Sequence, residues 1–224
     1  MNHELESLPD AETVANRAAS FVTERAQAAI ADHGRFHFAV SGGHTPWVMF
    51  AELATCDITW EHVVLYQVDE RVAPSDDPDR NLAHLRQSLG KAPAEVVAMA
   101  VDRSDLEEAA AEYAALLPDR FDLVHLGLGP DGHCASLVPG DPVLEITDHL
   151  VGVTAPYQGH RRMTLTYPAL GRADQLLWLV TGADKKDALR RLLAGDDTIP
   201  AGRVQAGASL VMADEAAVLS EERT

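Results

Sequence analysis

The chain reads as a three-layer α/β/α sandwich around a mostly parallel sheet, and three features of the sequence predict it. Short, nearly unbroken apolar runs recur at residues 36–40, 62–68, 121–126 and 175–180, the pattern of strands covered on both faces. Stretches with helical spacing separate them, as βαβ units require. Three of the runs give way to turns dense in glycine or charge, at the end where an open α/β sheet receives ligands.

The elements follow in order. Residues 10–33 are alanine-rich, with Val14, Ala18, Phe21 and Val22 on one side and Gly34 as the helix stop. After the first strand comes Ser41-Gly42-Gly43-His44-Thr45-Pro46, in which Thr45 is the predicted N-cap of the next helix and Pro46 its first residue. The strand at 62–68 leads to Asp69-Glu70-Arg71, a polar loop from Val72 to Arg80, and Leu82, Leu85 and Leu89 at helical spacing before Gly90. Residues 95–100 read as a strand, and Ser104-Asp105-Leu106-Glu107 as a capping box that opens a helix. Further strands are predicted at 150–153, 162–166, 175–180 and 208–213, with a helix at 184–193 stopped by Gly195 and a short C-terminal helix. One domain over residues 1–224 is expected, with residues 1–9 outside the ordered fold, because the length suits one well-buried core and no linker or repeat interrupts it.

The net charge of −17 argues against nucleic acid, whose binding needs a basic footprint. It leaves room for an anionic small molecule, since screening over roughly 8 Å lets a few local cations set the sign inside a cleft. No apolar run approaches the roughly 20 residues that cross a bilayer. Glu4, Glu6 and Asp10 stand where a signal peptide would carry bases. Cys56 and Cys134 supply neither a disulfide framework nor zinc spacing. A cytoplasmic protein with reduced thiols, no membrane contact and no metal is expected.

The chemistry concentrates in Leu126-Gly127-Leu128-Gly129-Pro130-Asp131-Gly132-His133-Cys134-Ala135-Ser136-Leu137. His133 is the natural acid and base of this turn. Asp131 either holds its tautomer, as the acid of a catalytic triad does, or serves as an Asx-turn residue. Gly127, Gly129 and Gly132 allow backbone N–H groups to approach an anion. Ser41, Gly42, Gly43 and Thr45 suit a phosphate cradle at a helix N-terminus. Asp69, Glu70 and Arg71 are either part of the same site or a surface ion pair worth about 0 to 1 kcal/mol.

Taken together, Ser41 to Pro46, Asp69-Glu70-Arg71 with Asn81 downstream, residues 126–137 with Pro139-Gly140, and Arg162-Met163-Thr164-Leu165-Thr166 resemble the successive motifs of the 6-phosphogluconolactonases. The resemblance runs from Asp10 to Leu210 and implies the Rossmann-like fold shared with glucosamine-6-phosphate deaminase and ribose-5-phosphate isomerase. It also implies cofactor-free, metal-independent hydrolysis of 6-phospho-D-glucono-1,5-lactone, a carboxylic ester hydrolysis in the oxidative pentose phosphate pathway. The implied partner is a phosphorylated sugar lactone, the catalytic base His133, and the basic substrate ligands Arg71, Arg162 and Lys185. A monomer or homodimer is expected. Asp69 is read as a ligand of sugar hydroxyls or as the residue that orders Arg71, and Asn81 as either of these or a helix cap. Arg203 is a weaker candidate ligand, read first as part of a structural ion pair, and Cys134 is expected as a packed small residue rather than a nucleophile.

One departure stands out. Many members of that family carry a lysine followed by prolines before the equivalent of Arg162, whereas this chain reads Ala155-Pro156-Tyr157-Gln158-Gly159-His160-Arg161, with Gln158 at the lysine position. Arg161, or else His160, is expected to restore the missing cation, the alternative being a phosphate held less tightly. Two rival readings use the same fold. A glucosamine-6-phosphate deaminase would carry a glutamate shortly after Asp-Gly-His, but no acid follows His133 until Asp141. A non-catalytic sugar-phosphate sensor has no need of His133.

Overall fold

The structure, a computed structural model, describes residues 1–218. Along the chain run β1 (Glu4–Leu8), α1 (Ala11–His33), β2 (Phe36–Val40), α2 (His44–Leu53), β3 (Val63–Gln67), β4 (Asp69–Arg71), α3 (Asn81–Leu89), β5 (Glu95–Val97) and α4 (Leu106–Ala115). Then follow β6 (Leu123–Gly127), β7 (Val151–Val153), β8 (Arg162–Leu165), α5 (Tyr167–Leu170), β9 (Gln175–Val180), α6 (Lys186–Leu193), β10 (Ala208–Asp214) and α7 (Glu215–Val218).

The main sheet has the order β1-β10-β9-β6-β2-β3-β5, and every pairing in it is parallel. Each central strand is apolar on both sides because each side is covered. On one face Phe38, Leu65 and Leu177 pack with Val14 and Val22 of α1 and Met49 and Phe50 of α2. On the other, Leu126 and Trp178 pack with Leu137, Met163 and Leu189. Full burial of such side chains stabilises the fold by about 1.5–3 kcal/mol each. No helix among the described residues is long and apolar enough to cross a membrane.

Local signals set the helix ends. Asp10 accepts a bond from the Thr13 amide at the start of α1, and Gly34 closes it with φ of 87°, a conformation glycine adopts without strain. At α4 the cap is Asp105, which accepts from the Glu107 and Glu108 amides, rather than Ser104. Residues 1–9 also differ from expectation, since Glu4–Leu8 pairs in parallel with β10 from Leu210 to Asp214. Its alternation is weak because it is an edge strand with mostly exposed side chains, held by backbone bonds that a hydrophobic pattern does not register.

β4, β8 and β7 form a second, antiparallel sheet. Residues 154–161 are too few for the crossover of a dozen or more residues that parallel strands need, so β7 and β8 turn back on each other. The tip of this hairpin is Tyr157 to His160, bonded backbone to backbone in both directions, with positive φ at Gln158 (50°) and Gly159 (88°). Two central residues with positive φ are the signature of the turn whose twist suits a two-residue hairpin.

The strand order also places the site. β2 lies beside β6, yet β2 continues into α2 on one face while the segment after β6 covers the other. Chains that diverge in this way leave a crevice at the carboxyl ends of the two strands.

Candidate active site

A cleft of about 550 Å³ opens at that crevice. Its first wall is the turn after β2. Gly43, with φ of 132°, is the residue preceding α2, and it leaves the helix amides facing the cleft without a side-chain cap. Thr45, predicted to be the cap, is instead the second helical residue, and its hydroxyl is 2.9 Å from that of Thr181 beyond β9. Gly42 has no room for a side chain, because a Cβ there would collide with Asn81. Ser41 is 5% exposed, and its hydroxyl lines the cleft with no protein hydrogen-bond partner. Helix N-terminal amides and a free hydroxyl are a natural set of donors for an anion.

The second wall is the turn after β6. His133 Nδ1 lies 2.5 Å from Asp131 Oδ1, and the His133 amide donates to the same oxygen at 3.2 Å. His133 lines the cleft, whereas Asp131 stands behind it. Burial would raise the Asp131 carboxyl, but the adjacent imidazole and the hydrogen bonds from His133 outweigh it and hold the pKa below the usual carboxylate value. With Nδ1 engaged by an anion, Nε2 is the ring nitrogen free for proton transfer. Glycine is obligatory at 129, since a Cβ there would strike both His133 and Asp131. Cys134 is 1% exposed, and burial pushes its thiol pKa up, the opposite of an activated nucleophile.

The floor is the second sheet. On β4 the alternation of a strand turns Asp69 and Arg71 to the cleft and Glu70 away from it. Arg71 is in direct register with Arg162 of β8. Both line the cleft, and burial, followed by the charge of Arg71, lowers the Arg162 pKa. Arg71 Nη1 donates to Asn81 Oδ1 at 3.0 Å and to the Asp79 carbonyl at 2.6 Å. Arg162 Nη1 donates to the Tyr157 carbonyl at 2.7 Å, with its guanidinium 5.1 Å from the Tyr157 ring centre. Asp69 accepts from Ser136 Oγ at 2.6 Å and from the Asn81 side chain at 3.4 Å. Burial raises its pKa against the pull of Ser136 and Arg71. Asn81 therefore links Asp69 to Arg71 rather than capping α3. Lys185 reaches the cleft from beyond β9, with Asp184 3.0 Å from its Nζ.

Not every predicted residue belongs here. Arg161 is exposed, does not line the cleft, and donates through Nε to the Thr154 carbonyl at 3.3 Å. Its neighbour Arg162 faces the cleft, and successive strand residues point to opposite sides. Arg161 therefore does not replace the lysine, and His160 sits 3.6 Å from Asp79 outside the lining. Arg203 joins Glu145 at 3.4 Å and covers the Tyr167 ring at 4.8 Å, a structural role as expected.

Sequence reasoning missed Tyr157 and Ser136 and left the task of Glu70 unassigned. Tyr157 sets its ring edge against His133, 5.9 Å between centroids, and its hydroxyl is 3.4 Å from Asp131 Oδ2. Ser136 binds Asp69. Glu70, wholly buried, accepts from the Asn81, Leu82 and Arg71 amides, each at 2.8 Å, and so caps α3 from a distant strand. Hairpin length pairs Tyr157 with His160 across the tip, and its approach to Arg162 and His133 depends on the fold of the whole cleft. Nothing local signals the other two.

Comparison with known proteins agrees with this geometry. Residues 9–212 match the family described as glucosamine-6-phosphate isomerases/6-phosphogluconolactonase. The 6-phosphogluconolactonase of Synechocystis sp. is 34% identical, over 87% of this chain and 86% of its own. Among solved structures, a 6-phosphogluconolactonase from Shewanella baltica superposes with a TM-score of 0.87 at 27% identity, covering 95% of this chain and 98% of its own. A monomeric glucosamine-6-phosphate deaminase gives a TM-score of 0.83 at 18% identity over 96% of this chain and 98% of its own, and shares the fold alone.

Proposed function

The chain belongs to the glucosamine-6-phosphate isomerase/6-phosphogluconolactonase family, and from that premise we propose that it hydrolyses 6-phospho-D-glucono-1,5-lactone to 6-phosphogluconate in the oxidative pentose phosphate pathway. The observation that carries the reading is the Asp131–His133 pair at 2.5 Å, set in a cleft that also holds Arg71, Arg162 and Lys185. His133 Nε2 takes a proton from water as its oxygen attacks the lactone carbonyl carbon. Asp131 stabilises the imidazolium that results. The carbonyl electrons move onto oxygen to give the tetrahedral oxyanion; the Gly129 and Gly132 N–H groups are not its donors, since they already donate to the His133 and Gly129 carbonyls at 2.8 and 3.0 Å. Collapse of the tetrahedral intermediate breaks the bond to the ring oxygen, which receives the proton back from His133.

The phosphate is held by the Ser41 hydroxyl, the Gly42 and Gly43 amides at the start of α2, and Lys185, with Thr45 and Thr181 behind them. The forks of Arg71 and Arg162 add planar cationic donors. Asp69 and Asn81 order Arg71 and present polar atoms to the sugar. The deaminase reading is disfavoured by Asp141, the first acid after His133, whose two oxygens accept from the Val143 and Ala155 amides at 2.9 and 3.0 Å and which does not line the cleft.

The test is hydrolysis of freshly generated phosphorylated lactone by the purified protein in EDTA, corrected for spontaneous ring opening. Acceleration that survives the chelator is expected, and His133→Ala should lower kcat by about 10²–10⁴-fold. No acceleration by the wild type would overturn the reading.

A further inference from the structure

His125 lies within β6, fully buried, and takes no part in the chemistry above. The β2–β6 register sets Phe38 against Leu123 and Ala39 against Val124, which brings His125 beside the point where β2 leaves the sheet. There the Ser41 backbone N–H donates to His125 Nδ1 at 3.3 Å. Nδ1 must then carry the lone pair and Nε2 the proton. Nε2 meets no protein acceptor, and a buried unpaired donor costs about 1–3 kcal/mol. A leucine at this position would avoid that cost, so the one bond the imidazole makes has to account for its presence. That bond ties the turn carrying Ser41 to the strand carrying the Asp131–His133 turn.

On the reading that the Ser41–Gly43 turn holds the substrate phosphate, we propose that His125 is a positioning residue, which fixes Ser41 from within the sheet so that its hydroxyl and the amides after it are preorganised for the anion. Burial pushes the imidazole pKa down to about 3, which keeps it a neutral acceptor at physiological pH. The two unpartnered atoms, His125 Nε2 and Ser41 Oγ, then have different meanings: the first is the cost of the anchor and the second is the ligand group it presents.

Three substitutions separate the atoms of the ring. His125→Asn keeps an acceptor near the place of Nδ1, His125→Gln moves it toward that of Nε2, and His125→Leu removes it. With the phosphorylated lactone, the Leu and Gln variants should raise KM about ten-fold with kcat little changed, while Asn stays within about two-fold of wild type. An unchanged KM in the Leu variant, or an Asn variant no better than Gln, overturns the proposal. Should the Leu variant not fold, nitrogen NMR of the wild-type imidazoles decides: a proton on Nε2 of a neutral ring supports the anchor, and one on Nδ1 overturns it. If the wild type opens no lactone, the functional reading has failed by itself. The anchor is then judged by calorimetry with inorganic phosphate, where about ten-fold weaker binding by Leu but not by Asn sustains it and equal binding ends it.

Discussion

Two histidines, one on β6 and one in the turn that follows, have opposite surroundings and opposite uses. His133 has a carboxylate on one nitrogen and the cleft on the other, whereas His125 has only the Ser41 amide. The difference reaches stability. Because burial lowers the His125 pKa from 6.5 to about 3, the unfolded chain takes up a proton between those values that the native state refuses. Stability therefore rises with pH across that window and is lost as pH falls below 6.5. Urea melts of His125→Asn should lose about 2 kcal/mol less than wild type on acidification from pH 6.5 to 5; equal losses would show that the imidazole is not held neutral. At this scale the sequence was most legible in which residues come together: His133, Arg71 and Arg162 line one cleft, with Asp131 bonded to His133. It failed at Arg161, where the parity of a strand decided the outcome, and at Tyr157 and Ser136, whose partners lie on other elements.

β4 shows how much three residues can do when alternation gives each a separate task. Asp69 and Arg71 serve the cleft, while Glu70 satisfies the first amides of α3 and lies 3.2 Å from the buried Arg80. An amide there has one acceptor where the carboxylate has two, and it leaves Arg80 without a counter-charge. Glu70→Gln should destabilise the protein by about 3 kcal/mol in urea denaturation, with KM rising because Asp69 and Arg71 shift together. A loss within experimental error would mean that α3 is held by its packing alone. Among the elements, the long helix and the central strands were readable because periodicity and caps agree. Two strands of the antiparallel sheet were readable as well, at 150–153 and 162–166, but β4, only three residues long, and the pairing of the three were not, because they depend on which chain lies alongside. Thr45 misled for a related reason: its hydroxyl found Thr181 before it found a helix amide.

At the scale of the whole molecule, a chain with a net charge of −17 places Arg71 and Arg162 opposite each other in one sheet. Like charges directly opposite destabilise a sheet, so the fold carries an internal repulsion in the cleft, where the proposed function seats the substrate's phosphate. A dianion seated there does more than occupy a site, because it relieves a strain on the second sheet. By mass action, a ligand at a hundred times its dissociation constant adds about 2.7 kcal/mol to the unfolding free energy. Inorganic phosphate should thus raise Tm, and the increment should shrink in Arg162→Ala; a Tm indifferent to phosphate would place the anion elsewhere. If the dianion binds between the two arginines, mass action would make the conformational stability of the enzyme a reporter of the supply of phosphorylated sugar around it.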